Sequence, residues 1–298
     1  MKVKEGKSEK VFKIFNYTVV SALCLTIILP FLNILALSFN QGADSEKGGI
    51  YFWPRAWTLE NFSEVFKASD IMNAMGISIF RTVVGTFISV FLTALAAYAL
   101  KKKSLPGRRM LTFFIFFTML FSGGTIPYYL VLKSIGLTNT IWVYIIPGLY
   151  SVYNIMIMRT FFMSIPVSLE EAARIDGATE FGIFFKLILP MSKPVITTIA
   201  LFNAVNHWND WFTGAFYVRN AKLRPLSTLL QEMLTKQEAL SEALLRGTAS
   251  YDSLSRITLT GESLKMATII VAVAPIIIIY PFVQKHFVKG VSIGSIKE

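Results

Sequence analysis

Cysteine is almost absent from this sequence. Cys24 is the single one, so no internal disulfide can form. Histidine is nearly as scarce: His207 and His286 lie far apart, with no metal-ligand cluster around either. Charge is thin as well. Only 16% of residues are charged, against roughly a quarter in an average soluble domain. Negative charge is the scarcer sign, with 18 Asp and Glu against 29 Lys and Arg, for a net charge of +11. No G-x-x-x-x-G-K-S/T phosphate loop occurs, so the chain is not expected to hydrolyse ATP itself.

What fills the chain is apolar. Hydrophobic residues make up 54% of it and mean hydropathy is +0.56. A helix crossing the bilayer core needs about 20 mostly apolar residues. Six segments meet that need, near Val11–Phe39, Ala74–Leu100, Met110–Leu132, Thr140–Met163, Pro194–Val218 and Lys265–Val283. The expected fold is an all-α integral membrane domain over residues 11–284, with tails at 1–10 and 285–298. The excess of positive charge does not point to nucleic acid, because the basic residues gather at the ends of apolar runs. The first run lacks a small-residue cleavage site, and Leu23 before Cys24 is too large for a lipoprotein signal, so this run reads as a retained helix.

Orientation follows from the basic ends. Lys2, Lys4, Lys7, Lys10 and Lys13 precede the first span, and Lys101, Lys102, Lys103, Arg108 and Arg109 follow the second. Arg174, Lys186 and Lys193 follow the fourth, with Arg159 at its margin, and Lys285, Lys289 and Lys297 lie in the tail. With six spans all four groups fall on one side, which places both termini in the cytoplasm. The loop 219–262 is the weak point. It would be external yet holds Arg219, Lys222, Arg224, Lys236, Arg246 and Arg256, with Lys265 just past it, partly balanced by Glu232, Glu238, Glu242, Asp252 and Glu262. Its Leu226, Leu229, Leu230, Met233, Leu240 and Leu244 form an amphipathic helical pattern.

The polar connection 164–193 carries the most specific signal. Ser168-Leu169-Glu170-Glu171 has the spacing of a capping box, with Ser168 and Glu171 as reciprocal partners. A short helix is expected through Ile175, stopped by Gly177 in the left-handed conformation. A second helix should run from Thr179 to Leu189, with Pro190 and Pro194 marking the entry to the next span. Small Ala172 and Ala173 allow close approach, while Glu170, Glu171, Arg174 and Asp176 offer charge to a soluble partner. The plain alternative is an interfacial connector with no partner.

These residues resemble a known family. Glu171-Ala172-Ala173, three residues, Gly177, nine residues and Leu187-Ile188-Leu189-Pro190 fit the EAA signature of ATP-binding cassette importer permeases, with Leu187 where isoleucine is usual. The stretch from Ile165-Pro166 to Pro190 is similar to the sugar-importing, maltose-type branch of binding-protein-dependent inner-membrane components. Phe121-Ser122-Gly123-Gly124-Thr125-Ile126-Pro127, Asn206-His207-Trp208-Asn209-Asp210-Trp211-Phe212 and Phe287-Val288-Lys289-Gly290-Val291 resemble its LplC/YtcP-like and alginate-importer-like subgroup. The resemblance implies a type I ABC importer permease fold in a bacterial inner membrane. It implies that Glu170 to Gly177 dock on an ATPase subunit. It also implies a distinct second permease, two ATPase subunits, a solute-binding protein that meets the loop 219–262, and an oligosaccharide substrate. ATP and Mg would sit on the ATPase subunits, with no cofactor on this chain.

Inside the membrane, polar residues cost free energy against lipid and are expected to face other helices or a wet cavity. Asn203, Asn206, His207, Asp210 and Gly214 recur at helical spacing in the fifth span, bordered by Trp211. A polar stripe flanked by indole suits a sugar path. Interhelical hydrogen bonding explains the same stripe without a ligand. Gly123 and Gly124 allow close approach or a bend along that path, and Pro127 is expected to free a backbone carbonyl. Arg81 snorkels, lines the cavity or pairs with Asp210. Two rival classes are a secondary transporter and a polytopic membrane enzyme. The first expects an inverted repeat, which the sequence does not display.

Overall fold

The computed structural model describes residues 6–246 and 262–295. Lys2, Lys4, Asp252, Arg256 and Lys297, used above for orientation, lie outside the described residues. For the 287–291 motif and the tail lysines Lys285 and Lys289, only the backbone is described. Among the described residues the secondary structure is helical, apart from an isolated bridge between Asn40 and Trp57.

Three helices are long and apolar enough to cross a membrane: α1 (Lys7–Ser38), α4 (Ser69–Lys101) and the 262–281 part of α14 (Glu262–Ser295). Three further spans exist only if bent pairs are counted as single crossings, giving up to six. The first pair is α5 (Arg108–Leu120) and α6 (Thr125–Ser134), bent by 117°. The second is the tight turns over Ile141–Gly148 and α7 (Val152–Ser164), bent by 46°. The third joins the segment Glu180–Met191 to α11 (Lys193–Asn209) at 81°.

The expected continuous third span therefore breaks. Phe121 turns extended, and Gly124 takes a φ of +86°, which L side chains rarely adopt. Pro127 then falls in the first turn of α6, where its missing N–H has no intrahelical partner to lose. It frees no carbonyl, contrary to the expectation above. The fifth span also stops early. Asp210 leaves helical geometry at ψ 102°, and a separate short helix, α12 (Phe212–Tyr217), follows.

The described residues divide into two compact units, 6–69 with 233–246 and 262–273, and 70–232 with 274–295. In the first, Ala36, Leu37 and Ile50 form a small core with Met266. Three asparagines pin the loop after α1: Asn33 donates to the carbonyls of Ile50 and Tyr51, Asn61 to those of Ser38 and Asn40, and Asn40 to Ser45 Oγ. Helices α2 (Gly42–Ser45) and α3 (Glu60–Lys67) flank that loop.

In the second unit α4 is the central element. Its buried face reads Ala74, Ser78, Arg81, Gly85, Ser89, Thr93 and Ala97, a run of small and polar residues three or four apart. Phe80, Val83 and Phe87 point outward and are exposed. That inverts the soluble pattern, as expected when the outer solvent is lipid and small residues let helices approach. An apolar core built from Ala94, Ala97, Ile155, Met158, Phe162 and Ile199 surrounds the Lys101 end of α4. The segment after α8 (Val167–Ile175) comprises α9 (Glu180–Ile183), a wide π turn over Phe184–Ile188, and α10 (Leu189–Met191). Beyond α12, the helical spacing read in the loop forms α13 (Leu226–Leu245), in which Leu226 is buried and Leu229, Leu230 and Met233 are half-buried, while the side chains of Leu240 and Leu244 lie outside the description.

Candidate functional site

Helix α8 begins at Val167, after Pro166 in extended conformation, with no side-chain cap. The expected capping box does not form, because this start places Ser168 within the first turn rather than before it. The other end is as expected. Gly177 has φ +80°, its amide donates to the Arg174 carbonyl, and the Ala178 amide donates to the Ala173 carbonyl. Those two bonds make a Schellman motif, which needs a left-handed residue at that position. Thr179 then caps α9, its hydroxyl accepting from the Gly182 amide at 3.2 Å.

Around this bend the predicted contact residues separate. Glu171, Ala172, Arg174, Asp176 and Gly177 are exposed, and Ala173 is half-buried against the apolar core. Ile175 is 86% exposed, an apolar tip on a charged helix that the sequence pattern did not single out. Glu170 is buried instead. Lys101 donates to its Oε1 and Lys102 to its Oε2 at 2.7 Å, while Arg174 lies 3.7 Å from Oε2. Burial acts to raise the Glu170 pKa, but the hydrogen bonds from Lys101 and then Lys102 outweigh it and hold the carboxyl below its ordinary value. Lys102 also bonds Glu180 at 2.8 Å, as does the Tyr98 hydroxyl, and Arg174 reaches Glu180 at 3.0 Å. The hydrogen bond from Lys102, followed by weaker partners, brings Glu180 down to about 2.

The polar stripe of the fifth span also divides. Asn203 is buried, accepts from Ser89 Oγ at 3.2 Å and donates to the Ile199 carbonyl. His207 fits between two glycines on other segments. A Cβ at Gly85 would stand 2.6 Å from its Nε2, and one at Gly148 would stand 3.4 Å from its Cε1. Neither glycine was legible as a partner in the sequence. Gly214 is buried against Thr228 and Pro225. Asp210, past the helix end, accepts from the Thr213 amide at 3.1 Å.

Arg81 pairs with Asp210 rather than snorkelling or lining a cavity. It is fully buried, with Nη1 3.6 Å from the Asp210 carboxylate. Its Nη2 donates to the Asp210 carbonyl at 2.6 Å, the Trp208 carbonyl at 3.3 Å and Ser227 Oγ at 3.1 Å. The guanidinium also stands 5.2 Å from the centre of the Tyr144 ring. One turn earlier, Ser78 accepts from the Leu226 amide. Residues Ser78 and Arg81 thus tie α4 to the broken end of α11 and the start of α13.

A cavity of about 500 Å³ opens beside α11, lined among others by Thr82, Tyr153, Asn154, Asn206, Trp208 and Tyr280. Of the predicted stripe only Asn206 reaches it. Trp211 is partly exposed against Phe212 and Phe216 rather than in this cavity. Gly123 and Gly124 form the exposed elbow after α5 and line no part of it.

Comparison with known proteins places these features. The family described as "Binding-protein-dependent transport system inner membrane component" matches residues 71–293. Protein LplC of Bacillus subtilis is 39% identical over 291 residues, covering 98% of this chain and 96% of that protein. The polygalacturonan/rhamnogalacturonan transport system permease protein YtcP of the same organism is 38% identical over 289 residues, covering 97% and 99%. A crystal structure of a bacterial ABC transporter that imports the acidic polysaccharide alginate contains a similar chain. Its TM-score is 0.85 at 30% identity, and the match covers 96% of this chain and 100% of that one.

Proposed function

The chain belongs to the family of binding-protein-dependent transport system inner membrane components, and from that premise we propose that it is the permease subunit of an importer for oligosaccharides or polysaccharide fragments. Members of this family are transport components, not enzymes. In this proposal the chain crosses the inner membrane six times in the type I importer fold, the first two bent pairs each counting as one span and the span after them beginning at α11, while Glu180–Met191 stays with the cytoplasmic connection. Both termini face the cytoplasm. The chain pairs with a distinct second permease and two ATPase subunits that carry ATP and Mg.

The observation that carries the proposal is α8. It presents Glu171, Ala172, Arg174, Ile175 and Asp176 to solvent, closed by the Schellman turn at Gly177. An exposed Ile175 ringed by charge suits docking against a soluble partner, where a buried apolar anchor contributes most of the contact energy. The sugar path runs along the cavity that sets the amides of Asn154 and Asn206 among the rings of Tyr153, Trp208 and Tyr280 and an apolar wall that includes Val205 and Ile279. The similarity to a protein named for polygalacturonan/rhamnogalacturonan transport and to a chain of an alginate importer supports a glycan as cargo. In this account Asn203, His207 and Asp210 shape the wall from behind, Gly123 and Gly124 set the elbow, and Trp211 stands at the rim.

The test is reconstitution of the complete complex with its binding protein and measurement of labelled oligosaccharide uptake. Asn206→Ala is expected to lower uptake several-fold, the scale of losing one or two hydrogen bonds of about 1 kcal/mol each. Uptake of amino acids instead, or unaltered sugar uptake in the variant, overturns the path. Orientation has its own test: Lys103→Cys in a Cys24→Ser background is expected to resist external thiol reagents.

A further inference from the structure

Glu170 and Glu171 are adjacent carboxylates with opposite fates. Glu171 faces solvent, while Glu170 is 3% exposed. The two Glu170 oxygens are divided between cations on neighbouring residues, Lys101 on Oε1 and Lys102 on Oε2. Lys101 is the last residue of α4, and Lys102 continues to Glu180 beyond the bend. Arg174, one turn along α8, closes the set by approaching both Glu170 and Glu180.

Two divergent bonds from consecutive residues fix direction as well as distance. A helix held through one point contact can rotate about it, whereas one held by both oxygens of a buried carboxylate cannot do so without stripping a counter-ion. Buried charges part from their partners only at large cost. The other side of this joint is α4, an unbroken helix of 33 residues, about 50 Å long at 1.5 Å per residue. Its buried face holds Asn203 through Ser89, meets His207 at Gly85 and binds Asp210 through Arg81. The same helix contributes Thr82 to the cavity.

We propose that Glu170 is a positioning residue that fastens α8 to α4, so that a displacement of α8 by its partner moves the span lining the path, and that Glu170 is not itself a contact for the partner. The inference rests on α8 being the segment that docks on the ATPase. It assigns the two acidic residues different tasks: Glu171 meets the partner, and Glu170 carries the movement inward.

The experiment uses the complete complex in proteoliposomes, with two readouts: co-purification of the ATPase subunits and solute imported per ATP hydrolysed. Glu170→Gln keeps shape and removes charge. It is expected to retain the ATPase subunits in full while import per ATP falls about tenfold, the scale of a coupling free energy between sites. Lys101→Gln with Lys102→Gln is expected to reproduce that loss. Adding Glu170→Gln to the lysine pair is expected to make it no worse, and Glu170→Asp to recover part of it. Lys102→Gln alone leaves Lys101 in place, so it assembles even where Glu170→Gln does not, and an intermediate loss is expected. Release of the ATPase subunits by Glu170→Gln but not by the lysine variants overturns the proposal, as does an unchanged import ratio in Lys102→Gln. Glu171→Lys separates this from the docking assignment. If it leaves the ATPase subunits bound, α8 is not the docking segment and the parent reading fails first.

Discussion

Arg81 and Glu170 are both buried charges on or against α4, and they are satisfied in different ways. Arg81 has one carboxylate at 3.6 Å and otherwise depends on backbone carbonyls, a hydroxyl and an aromatic face. Its Nε has no hydrogen-bond partner among the described residues. Glu170 has three cations within reach and shares two of them with Glu180. The first arrangement has no substitute contacts, so its failure exposes a charge and the end of a helix together. The second is redundant, and losing one member leaves the rest engaged. A single cation among carbonyls suits a joint that holds one helix end in place. A network of three cations suits a joint that stays fastened while α8 is displaced.

The strongest way to break this comparison is Arg81→Leu. It strips the counter-ion from Asp210 and the donor from the carbonyls at the end of α11. Breaking a fully buried pair costs roughly 3–5 kcal/mol; Asp210 keeps 34% of its side chain exposed, so a drop in thermal stability of the purified complex at the lower end of that range is expected. Adding Asp210→Asn should recover part of it. An unchanged melting temperature in Arg81→Leu removes the distinction between the two clusters. Next in size is Gly85→Ala, whose Cβ would press on His207. Overpacking costs about 1–3 kcal/mol, and His207→Ala in the same chain should relieve it. Equal stability of Gly85→Ala and parent would mean that the imidazole moves aside freely.

The smallest effect is expected at Glu180, whose side chain is half exposed. Exposed ion pairs contribute roughly 0.2–1 kcal/mol, so Glu180→Gln should cost no more than that at neutral pH. The sign with pH follows from a folded pKa of about 2 against an ordinary value of 4.5. The stabilisation is fully present above the ordinary value and disappears as pH falls through about 2. Melting curves of parent and Glu180→Gln should therefore differ at pH 7 and converge in strong acid. A difference that grows toward acid would reverse the assignment.

Hydropathy made α1, α4 and α14 legible, because an unbroken apolar run of that length has few other folds. It is blind to bends. The elbow at Phe121–Gly124 left a trace in its paired glycines, but the break at Asp210 left none. An aspartate that ends a helix sits at the same spacing as one that continues a polar stripe, so the stripe appeared longer than the helix that carries it. Gly177 could be placed because few residues other than glycine close a Schellman turn. The start of α8 was misread, since Ser168 matched a cap while Pro166 took the position before the helix. Which of Glu170 and Glu171 turns inward depends on Lys101 and Lys102, some 70 residues away in sequence, and no local pattern carries that information.

The π turn at Phe184–Ile188 bears on the signature itself. In an α-helix, residues five apart point roughly 140° away from each other. Closure to the fifth residue brings them back toward one side, and Ile183 and Ile188 are both fully buried. One extra residue is thus stored in the helix between Gly177 and Pro190. The nine-residue interval after the glycine is the length of a chain that includes this surplus residue. Closing the same interval as a continuous α-helix would keep every residue type in the signature and swing Ile188 and Pro190 by about a quarter turn out of register with the core.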